Sequence, residues 1–358
     1  MKVVGTGKTY RIYEDDLKTY DKLPIGTFIV RFSNISGFHL DRCHDFECSE
    51  KVYGEQLRKR PRIWKGYERM DRSLGVILSG VKGIGKSMFA QLLIEDGYSK
   101  NLPVIIVKNN YKGIDSFLDE IDQECIVLFD EFEKVFDKYP DGDVCSQSDL
   151  LSLFDGLSKQ KKMYVITCNN LDQLSEYIIN RTGRFHYHIR FDYPNSLEIK
   201  EYLEDNIDEE YYSEIAEVSK FAIKVPLTYD TLRSIAFELS LGYKFKEFIN
   251  DLNIKRNHDP NYKINVFYET SKEKNKILTL EKSVDLFEDN ISIWCGFNGE
   301  RISFDFDKSS LKYGKDSFMY VEDQDIRISC DDPDEMDLNV KKITLEVKRT
   351  MSDNLNFF

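Results

Sequence analysis

Residues 75–93 (GVILSGVKGIGKSMFAQLL) contain the pattern that decides the fold. An apolar run at Gly75–Leu78 is typical of a buried strand, and the residues from Met88 onward have the composition of a helix. Between them, two glycines five residues apart precede a lysine and a serine, which is the spacing of a Walker A phosphate loop. The residues of this loop are Gly80, Val81, Lys82, Gly83, Ile84, Gly85, Lys86, Ser87 and Met88.

In such a loop, backbone amides and the N-terminus of the following helix surround the phosphates of a nucleotide. We expect Lys86 to reach the β- and γ-phosphates and Ser87 to ligate Mg²⁺. A second segment, Gly5–Thr9 (GTGKT), has similar letters. Its first-glycine position is Lys2, and no apolar strand precedes it. We therefore interpret that segment as a loop or the start of a strand.

A second apolar strand is predicted at Cys125–Phe129, and it ends in two acids. We expect Asp130 to hold the Mg²⁺ through water and Glu131 to act as the general base for the attacking water. Two acids at a strand end could also be a solvated turn. The presence of a complete phosphate loop in the same chain favours the catalytic interpretation.

A third apolar strand ends in Asn169 and Asn170, and the segment NRTGRF follows it with Arg181 and Arg184. A neutral amide at this place could orient water against the γ-phosphate. The two arginines could complete a neighbouring subunit's site by stabilising transition-state charge, if they lie exposed at an edge. Ordinary surface arginines in salt bridges are the alternative.

The composition excludes several classes of protein. The chain has 358 residues with a formal charge of −13, which argues against general coating of nucleic acid, although a local basic groove stays open. Seven scattered cysteines favour reduced thiols over a disulfide framework. The N-terminus lacks the apolar segment of a signal peptide, and no apolar run is long enough to span a bilayer. We expect a cytoplasmic protein without a membrane partner.

Apolar five-residue runs alternate with helical stretches in the middle of the chain, which predicts a parallel sheet covered on both faces, an α/β fold. Alternating apolar and polar residues near the C-terminus predict half-buried antiparallel strands. We divide the chain into a β-rich N-terminal region at 1–55, a phosphate-loop core at 56–195, a helical segment at 196–257 and an acidic β-rich domain at 258–358.

The order GVKGIGKS, IVLFDE, DLLSLFDG, ITCNN and NRTGRF resembles the AAA+ ATPases, specifically the AAA clade with a second region of homology. The resemblance covers roughly residues 50–255 and implies an αβα sandwich with a helical lid, flanked here by β-rich regions. It makes Asn169 similar to sensor 1, with Asn170 as the alternative, and Arg181 and Arg184 similar to paired arginine fingers. Thr182 stands where the family has proline. Members encoded by bacteriophages look most similar.

The resemblance implies further roles. Tyr53 and Gly54 look like the turn that contacts adenine. Tyr111 and Lys112 look like a pore loop that grips a threaded polypeptide, although Tyr-x-Gly is also a frequent turn. Arg233 is a candidate sensor 2, with an ordinary helix-surface arginine as the alternative. The implied ligands are ATP and Mg²⁺, and the implied assembly is a homo-oligomer, a hexameric ring.

A basic, aromatic stretch at 58–69 leaves two interpretations open. It could contact nucleic acid by phosphate neutralisation and stacking, or it could be a solvated helix that faces an acidic neighbouring subunit. We expect an ATP-driven machine that remodels or translocates a macromolecule, with protein as the favoured substrate. The alternatives are a DNA-associated motor or loader and a nucleotide-gated assembly scaffold.

Overall fold

The computed structural model describes residues 2–6, 9–13, 18–48, 50–140, 144–155, 160–254, 261–297, 299–314, 318–330 and 337–347. The chain forms two compact units. The first comprises residues 1–81 and 85–191, and the second comprises residues 82–84 and 192–358. Within the described residues, no helix is long and apolar enough to cross a membrane.

Seven of the nine strands among the described residues of the first unit form one sheet, in the order β4-β3-β6-β7-β8-β5-β9. All neighbours are parallel except the antiparallel pair β3–β4. The strands of this unit are β1 (Lys2–Thr6), β2 (Thr9–Tyr13), β3 (Thr27–Ser33), β4 (Gly37–Arg42), β5 (Leu74–Ser79), β6 (Val104–Val107), β7 (Cys125–Phe129), β8 (Lys162–Cys168) and β9 (Phe185–Arg190).

The helices of the first unit connect these parallel strands. They are α1 (Arg60–Arg69), α2 (Lys86–Ser99), α3 (Ile114–Glu120), α4 (Phe132–Val135), α5 (Leu151–Phe154) and α6 (Glu176–Ile179). Every residue of β5, β6, β7 and β8 is buried, as expected where helices cover both faces of a sheet. The prediction of a parallel α/β sheet is confirmed.

The strand register positions the functional residues. Strand β8 lies between β7 and β5, with Ser79 opposite Cys168 and Phe129 opposite Ile166. The residues that follow these three strands therefore emerge at one edge of the sheet. In open α/β sheets, ligands bind at the carboxyl ends of the strands, where neighbouring connections run in opposite directions.

Two strands from the region before residue 55 extend this central sheet. Strand β3 pairs in parallel with β6 through Thr27–Ile29, and β4 forms the edge. Phe28 and Val30 of β3 are buried. Only β1 and β2, among the described strands of that region, form a separate two-stranded sheet. The central sheet thus continues across the boundary that we drew at residue 55.

The second unit begins with helices and continues with strands. Its helices are α7 (Ser196–Asn206), α8 (Tyr212–Lys224), α9 (Tyr229–Ser240) and α10 (Phe245–Phe248). Its strands are β10 (Asn261–Glu269), β11 (Lys276–Ser283), β12 (Asn290–Phe297), β13 (Glu300–Asp307), β14 (Lys312–Tyr313), β15 (Met319–Glu322), β16 (Arg327–Cys330) and β17 (Asn339–Val347).

The strands of the second unit form two antiparallel sheets, ordered β11-β10-β17-β15-β14 and β12-β13-β16. Ile291, Ile293 and Cys295 of β12 are buried and alternate with more exposed residues, which is the pattern of a sheet with one face in the core. Helix α8 joins this core, because its residue Ile223 belongs to the apolar cluster of the strands.

Candidate nucleotide site at the carboxyl edge of the central sheet

The phosphate loop follows β5 and depends on glycine backbone geometry. Gly80 has a φ of +149°, and a Cβ at this position would collide with the backbone carbonyl of Phe191. Gly83 and Gly85 have φ values of +76° and +97°, which L-residues with a side chain rarely adopt. The loop conformation therefore requires these three glycines.

Helix α2 begins directly at the end of the loop. Gly85 is its N-cap, and its first turn contains no acidic residue. The 14-residue helix thus presents free amides and the positive end of its dipole at the carboxyl edge of the sheet. This arrangement favours an anion such as a phosphate.

Lys86 lies inside the loop and is only 6% exposed. Its Nζ donates to the backbone carbonyls of Gly80 and Val81 at 2.7 Å and to Asn169 Oδ1 at 2.9 Å. Burial lowers the pKa of Lys86, while nearby carboxylates, Glu133 foremost, act in the opposite direction. The ammonium group is thus held at the point where loop and strand ends meet.

Asp130 and Glu131 are fixed by a threonine from the neighbouring strand. Thr167 Oγ1 donates to Asp130 Oδ1 at 2.6 Å and accepts from the Glu131 amide at 2.8 Å. Glu131 has a φ of +48°, which is uncommon for a residue with a side chain and costs about 1 kcal/mol. Its carboxylate pairs with Lys134 Nζ at 2.6 Å.

The two asparagines after β8 have different surroundings. Asn169 lies between Lys86 and the acids, and its Nδ2 donates to Glu133 Oε1 at 2.9 Å. Asn170 Oδ1 instead accepts from the Asp172 amide at 2.9 Å and caps a short 3₁₀ turn. Of the two candidates, Asn169 is the one that contacts the phosphate-loop lysine, and its role as sensor 1 stays a prediction.

The two arginines after α6 also differ. Arg184 is 7% exposed and binds Asp155 through Nε at 2.6 Å and Nη2 at 2.9 Å, and its Nη1 donates to the Tyr177 carbonyl. Arg184 therefore does not meet the condition of exposure under which it could complete a neighbouring subunit's site. Arg181 is 61% exposed and lies 3.7 Å from Asp155, so its guanidinium faces solvent.

The two residues of the candidate pore loop differ in their surroundings. The Tyr111 ring lies 5.7 Å from Phe32 and 6.1 Å from Phe38, and its hydroxyl accepts from Asn109 at 3.1 Å. The half-buried ring packs on β3 and β4, and the pore-loop role of Tyr111 stays a prediction beside the alternative of an ordinary turn. Lys112 is exposed.

The contacts described for the candidate adenine turn are local. Lys51 Nζ lies 4.9 Å from the centre of the Tyr53 ring, and Gly54, with a φ of +102°, precedes a 3₁₀ helix at Glu55–Lys59. These contacts leave adenine contact by Tyr53 and Gly54 a prediction. Arg233 is exposed on α9, as an ordinary helix-surface arginine would be.

The structure corrects the stacking interpretation of the stretch at 58–69. Trp64 and Tyr67 are 5% and 4% exposed and lie on the buried face of α1 with Ile63. Arg60 is paired with Asp96. Aromatic rings within the core cannot stack on nucleic acid bases, so only exposed basic residues on the outer face of α1 remain for a partner.

Two residues that sequence reasoning did not place in the site lie beside it. His188 Nε2 lies 2.7 Å from Ser79 Oγ, directly before the loop, and burial lowers the His188 pKa to about 4. Glu133 is 6% exposed and faces Asn169. The only signal for Glu133 was a third acid two residues after the Asp-Glu pair, and its burial could not be read from that spacing.

The donor set fits a nucleotide with Mg²⁺. Ser87 and Asp130 offer a hydroxyl and a carboxylate, the oxygen ligands that Mg²⁺ prefers. No group of three or more His, Cys, Asp or Glu residues within the described chain is placed to hold a metal ion by itself. This is consistent with the usual Mg²⁺ site of few protein ligands, completed by water and substrate phosphates.

Comparison with known proteins points the same way. A search of the curated proteins found no match to this chain. A family model does match part of it, from β5 to just beyond β9. Residues 76–193 match the ATPase family associated with various cellular activities (AAA), which supports an AAA-type ATPase.

Proposed function

We propose that the protein hydrolyses ATP with Mg²⁺ at the carboxyl edge of its central sheet. The observation that carries this proposal is the set of bonds that joins the phosphate loop to the ends of β7 and β8. Lys86 reaches Asn169, and Thr167 holds Asp130 and Glu131 in place. A glycine-rich turn without function would not need these polar groups to converge.

In the proposed reaction the loop amides and Lys86 would bind the phosphates of ATP, with Lys86 exchanging one of its three present acceptors for a phosphate oxygen. Ser87 and Asp130 would hold Mg²⁺, which would neutralise charge that develops on the phosphate oxygens. Glu131 accepts the proton of the attacking water. In the structure Glu131 Oε1 also pairs with Lys134 Nζ at 2.6 Å.

We further propose that the site is shared between subunits of a homo-oligomeric ring, a hexamer by the resemblance. Arg181 is the residue that reaches the neighbouring subunit's nucleotide, since its side chain is 61% exposed. Arg184 and Asp155 form the buried anchor that holds the segment in place. Helices α7–α10 would be the lid, and the β-rich region after them would meet the partner.

Hydrolysis in such a ring would drive remodelling or translocation of a macromolecule, and we favour a protein substrate. The burial of Trp64 and Tyr67 removes the main argument for a DNA-associated motor. No observation favours the assembly-scaffold alternative. The scaffold alternative predicts that Glu131→Gln, which should bind ATP without hydrolysing it, still supports the protein's function.

The experiment that tests this proposal mixes two inactive variants. Glu131→Gln removes the base and Arg181→Ala removes the shared arginine, and each alone should lower ATP turnover at least about a hundredfold. In a one-to-one mixture, about a quarter of the interfaces between subunits combine an intact base with an intact arginine. ATP turnover should therefore recover in the mixture.

Arg184→Ala is the matched control for Arg181→Ala. Arg184 is buried while Asp155 is 32% exposed, so loss of this pair should lower the free energy of unfolding by about 2 kcal/mol, whereas Arg181→Ala should change it by less than about 0.5 kcal/mol. Turnover per subunit should also rise with protein concentration. A dilute monomer as active as the concentrated protein, or a mixture without recovery, would refute the shared site.

A further inference from the structure

Glu133 is a buried carboxylate in the candidate site with no role in the proposed reaction so far. It lies in the first turn of α4 and is 6% exposed. Its Oε1 accepts two hydrogen bonds from a single residue, from the backbone amide and the Nδ2 of Asn169, both at 2.9 Å. A buried carboxylate lowers the stability of the folded protein unless hydrogen bonds or an opposite charge compensate for its loss of hydration.

The two bonds fix the orientation of the Asn169 amide. With Nδ2 directed at Glu133, the amide oxygen is directed at Lys86 Nζ, 2.9 Å away. The same Nδ2 lies 3.4 Å from Glu131 Oε1. An asparagine amide can rotate by half a turn at little steric cost, and the bond to Glu133 distinguishes the two orientations because a carboxylate only accepts.

The two carboxylate oxygens of Glu133 have different surroundings. Glu133 Oε2 is buried and has no hydrogen-bond partner among the described residues. The nearby Cys168 thiol donates to the Asn170 carbonyl, and burial together with the Glu133 charge raises the Cys168 pKa to about 12. A buried oxygen without a donor costs stability, and the Cys168 thiol also interacts with the Glu133 carboxylate.

We propose that Glu133 is a positioning residue for ATP hydrolysis, acting through Asn169. By holding the backbone and side chain of Asn169 together, it keeps the amide oxygen on Lys86 and the amide nitrogen beside Glu131, where the attacking water must lie. This inference rests on the proposed ATPase function. It concerns hydrogen-bond geometry rather than the charge of Glu133.

A pair of conservative variants separates geometry from charge. Glu133→Gln keeps an acceptor oxygen at the same distance and removes the charge. Glu133→Asp keeps the charge but withdraws the oxygen by one methylene, beyond hydrogen-bond reach of Asn169. We expect Glu133→Asp to lower kcat about tenfold or more and Glu133→Gln to lower it at most about threefold, with KM for ATP little changed.

A double-mutant cycle tests whether the effect passes through Asn169. In an Asn169→Ala background, Glu133→Asp should cause no further loss of kcat, because the group that it positions is already absent. Asn170→Ala, which removes the neighbouring amide that only caps a turn, is the matched control. A fluorescent ATP analogue should bind Glu133→Asp with an affinity within about threefold of the unmodified protein.

Three results would overturn the inference. The first is a Glu133→Gln variant that loses as much activity as Glu133→Asp, since charge would then be the requirement. The second is a Glu133→Asp variant with unchanged kcat, and the third is an additive loss in the Asn169→Ala background. Failure of the unmodified protein to hydrolyse ATP would instead refute the proposed function, so the two failures can be told apart.

Discussion

The phosphate loop at Gly80–Ser87 and the segment at Gly5–Thr9 share the letters Gly-x-Gly-Lys followed by Ser or Thr, yet the chain folds them differently. The first lies between a buried parallel strand and a 14-residue helix. The second lies between antiparallel strands β1 and β2, with Thr6 opposite Thr9, while Gly7 and Lys8 lie outside the described residues. A strand rather than a helix begins at Thr9.

This difference shows that a phosphate site depends on the surrounding structure more than on the sequence motif alone. The first loop is supported by the N-terminus of a helix and by Lys86, which donates to three acceptors. His188 hydrogen-bonds Ser79, the residue directly before the loop. In the second segment, Val3, Tyr10 and Ile12 are largely exposed on a two-stranded sheet. A hairpin of two strands is at best marginally stable by itself.

The largest contrast is expected between Lys86→Ala and Lys8→Ala. Lys86→Ala removes a buried ammonium that would bind phosphate, worth about 3 kcal/mol, so ATP affinity should fall about a hundredfold. Lys8→Ala should leave affinity unchanged within about twofold. Titration with a fluorescent ATP analogue measures both. An equal loss in Lys8→Ala would mean that the N-terminal segment also contributes to a nucleotide site.

The second contrast concerns glycine. Gly80→Ala places a Cβ against the Phe191 carbonyl at a φ of +149°, so the free energy of unfolding should fall by about 3 kcal/mol. Gly5→Ala, in a strand of the hairpin, should change it by less than about 0.5 kcal/mol. Urea denaturation followed by tryptophan fluorescence gives both values. A Gly80→Ala variant as stable as the unmodified protein would show that the loop relaxes away from Phe191.

Much of the core could be predicted because its strands are continuous apolar runs. The phosphate loop follows the apolar run Gly75–Leu78, and the acidic pair follows the run Cys125–Phe129. Because parallel strands end at one edge of a sheet, these residues are expected to lie near each other. The same logic could have identified α1 as a packed helix. Ile63, Trp64 and Tyr67 have helical spacing on one face, a signal that the basic residues between them concealed.

Other features depend on partners distant in sequence. Arg181 and Arg184 look equivalent in the segment NRTGRF, and Asp155, 29 residues before Arg184, selects one of them for burial. The sheet membership of β3 rests on pairing with β6, across about 75 intervening residues. A local sequence pattern cannot predict which strands pair, because the hydrogen bonds between strands join backbone groups and do not depend on the side chains.

A smaller effect, on the pH dependence of stability, is expected from His188, which contacts Ser79 directly before the loop. The pKa of His188 is about 4 in the folded protein, against an ordinary value of 6.5, so below pH 6.5 the unfolded chain binds a proton that the folded chain does not. Stability should fall as the pH decreases from about 6.5 to about 4. Between pH 7 and pH 5 this contribution is about 2 kcal/mol.

Replacement by a neutral side chain isolates that contribution. His188→Asn should lose less stability between pH 7 and pH 5 than the unmodified protein, by about 2 kcal/mol. His186→Asn changes an exposed histidine of the same strand and serves as the control. Denaturation curves across the pH range give the comparison. If His188→Asn and the unmodified protein decline in parallel, His188 is not held neutral beneath Ser79.

The smallest effect is expected from removing the hairpin altogether. Deletion of residues 1–13 removes β1 and β2, whose described pairing is only with each other, so ATP affinity should stay within about twofold and Tm within about 2 °C. Deletion of residues 1–42 is the matched control. It also removes β3, with its buried Phe28 and Val30, and should unfold the central sheet near β6. A tenfold loss of ATP affinity in the shorter deletion would show that the hairpin supports the nucleotide site after all.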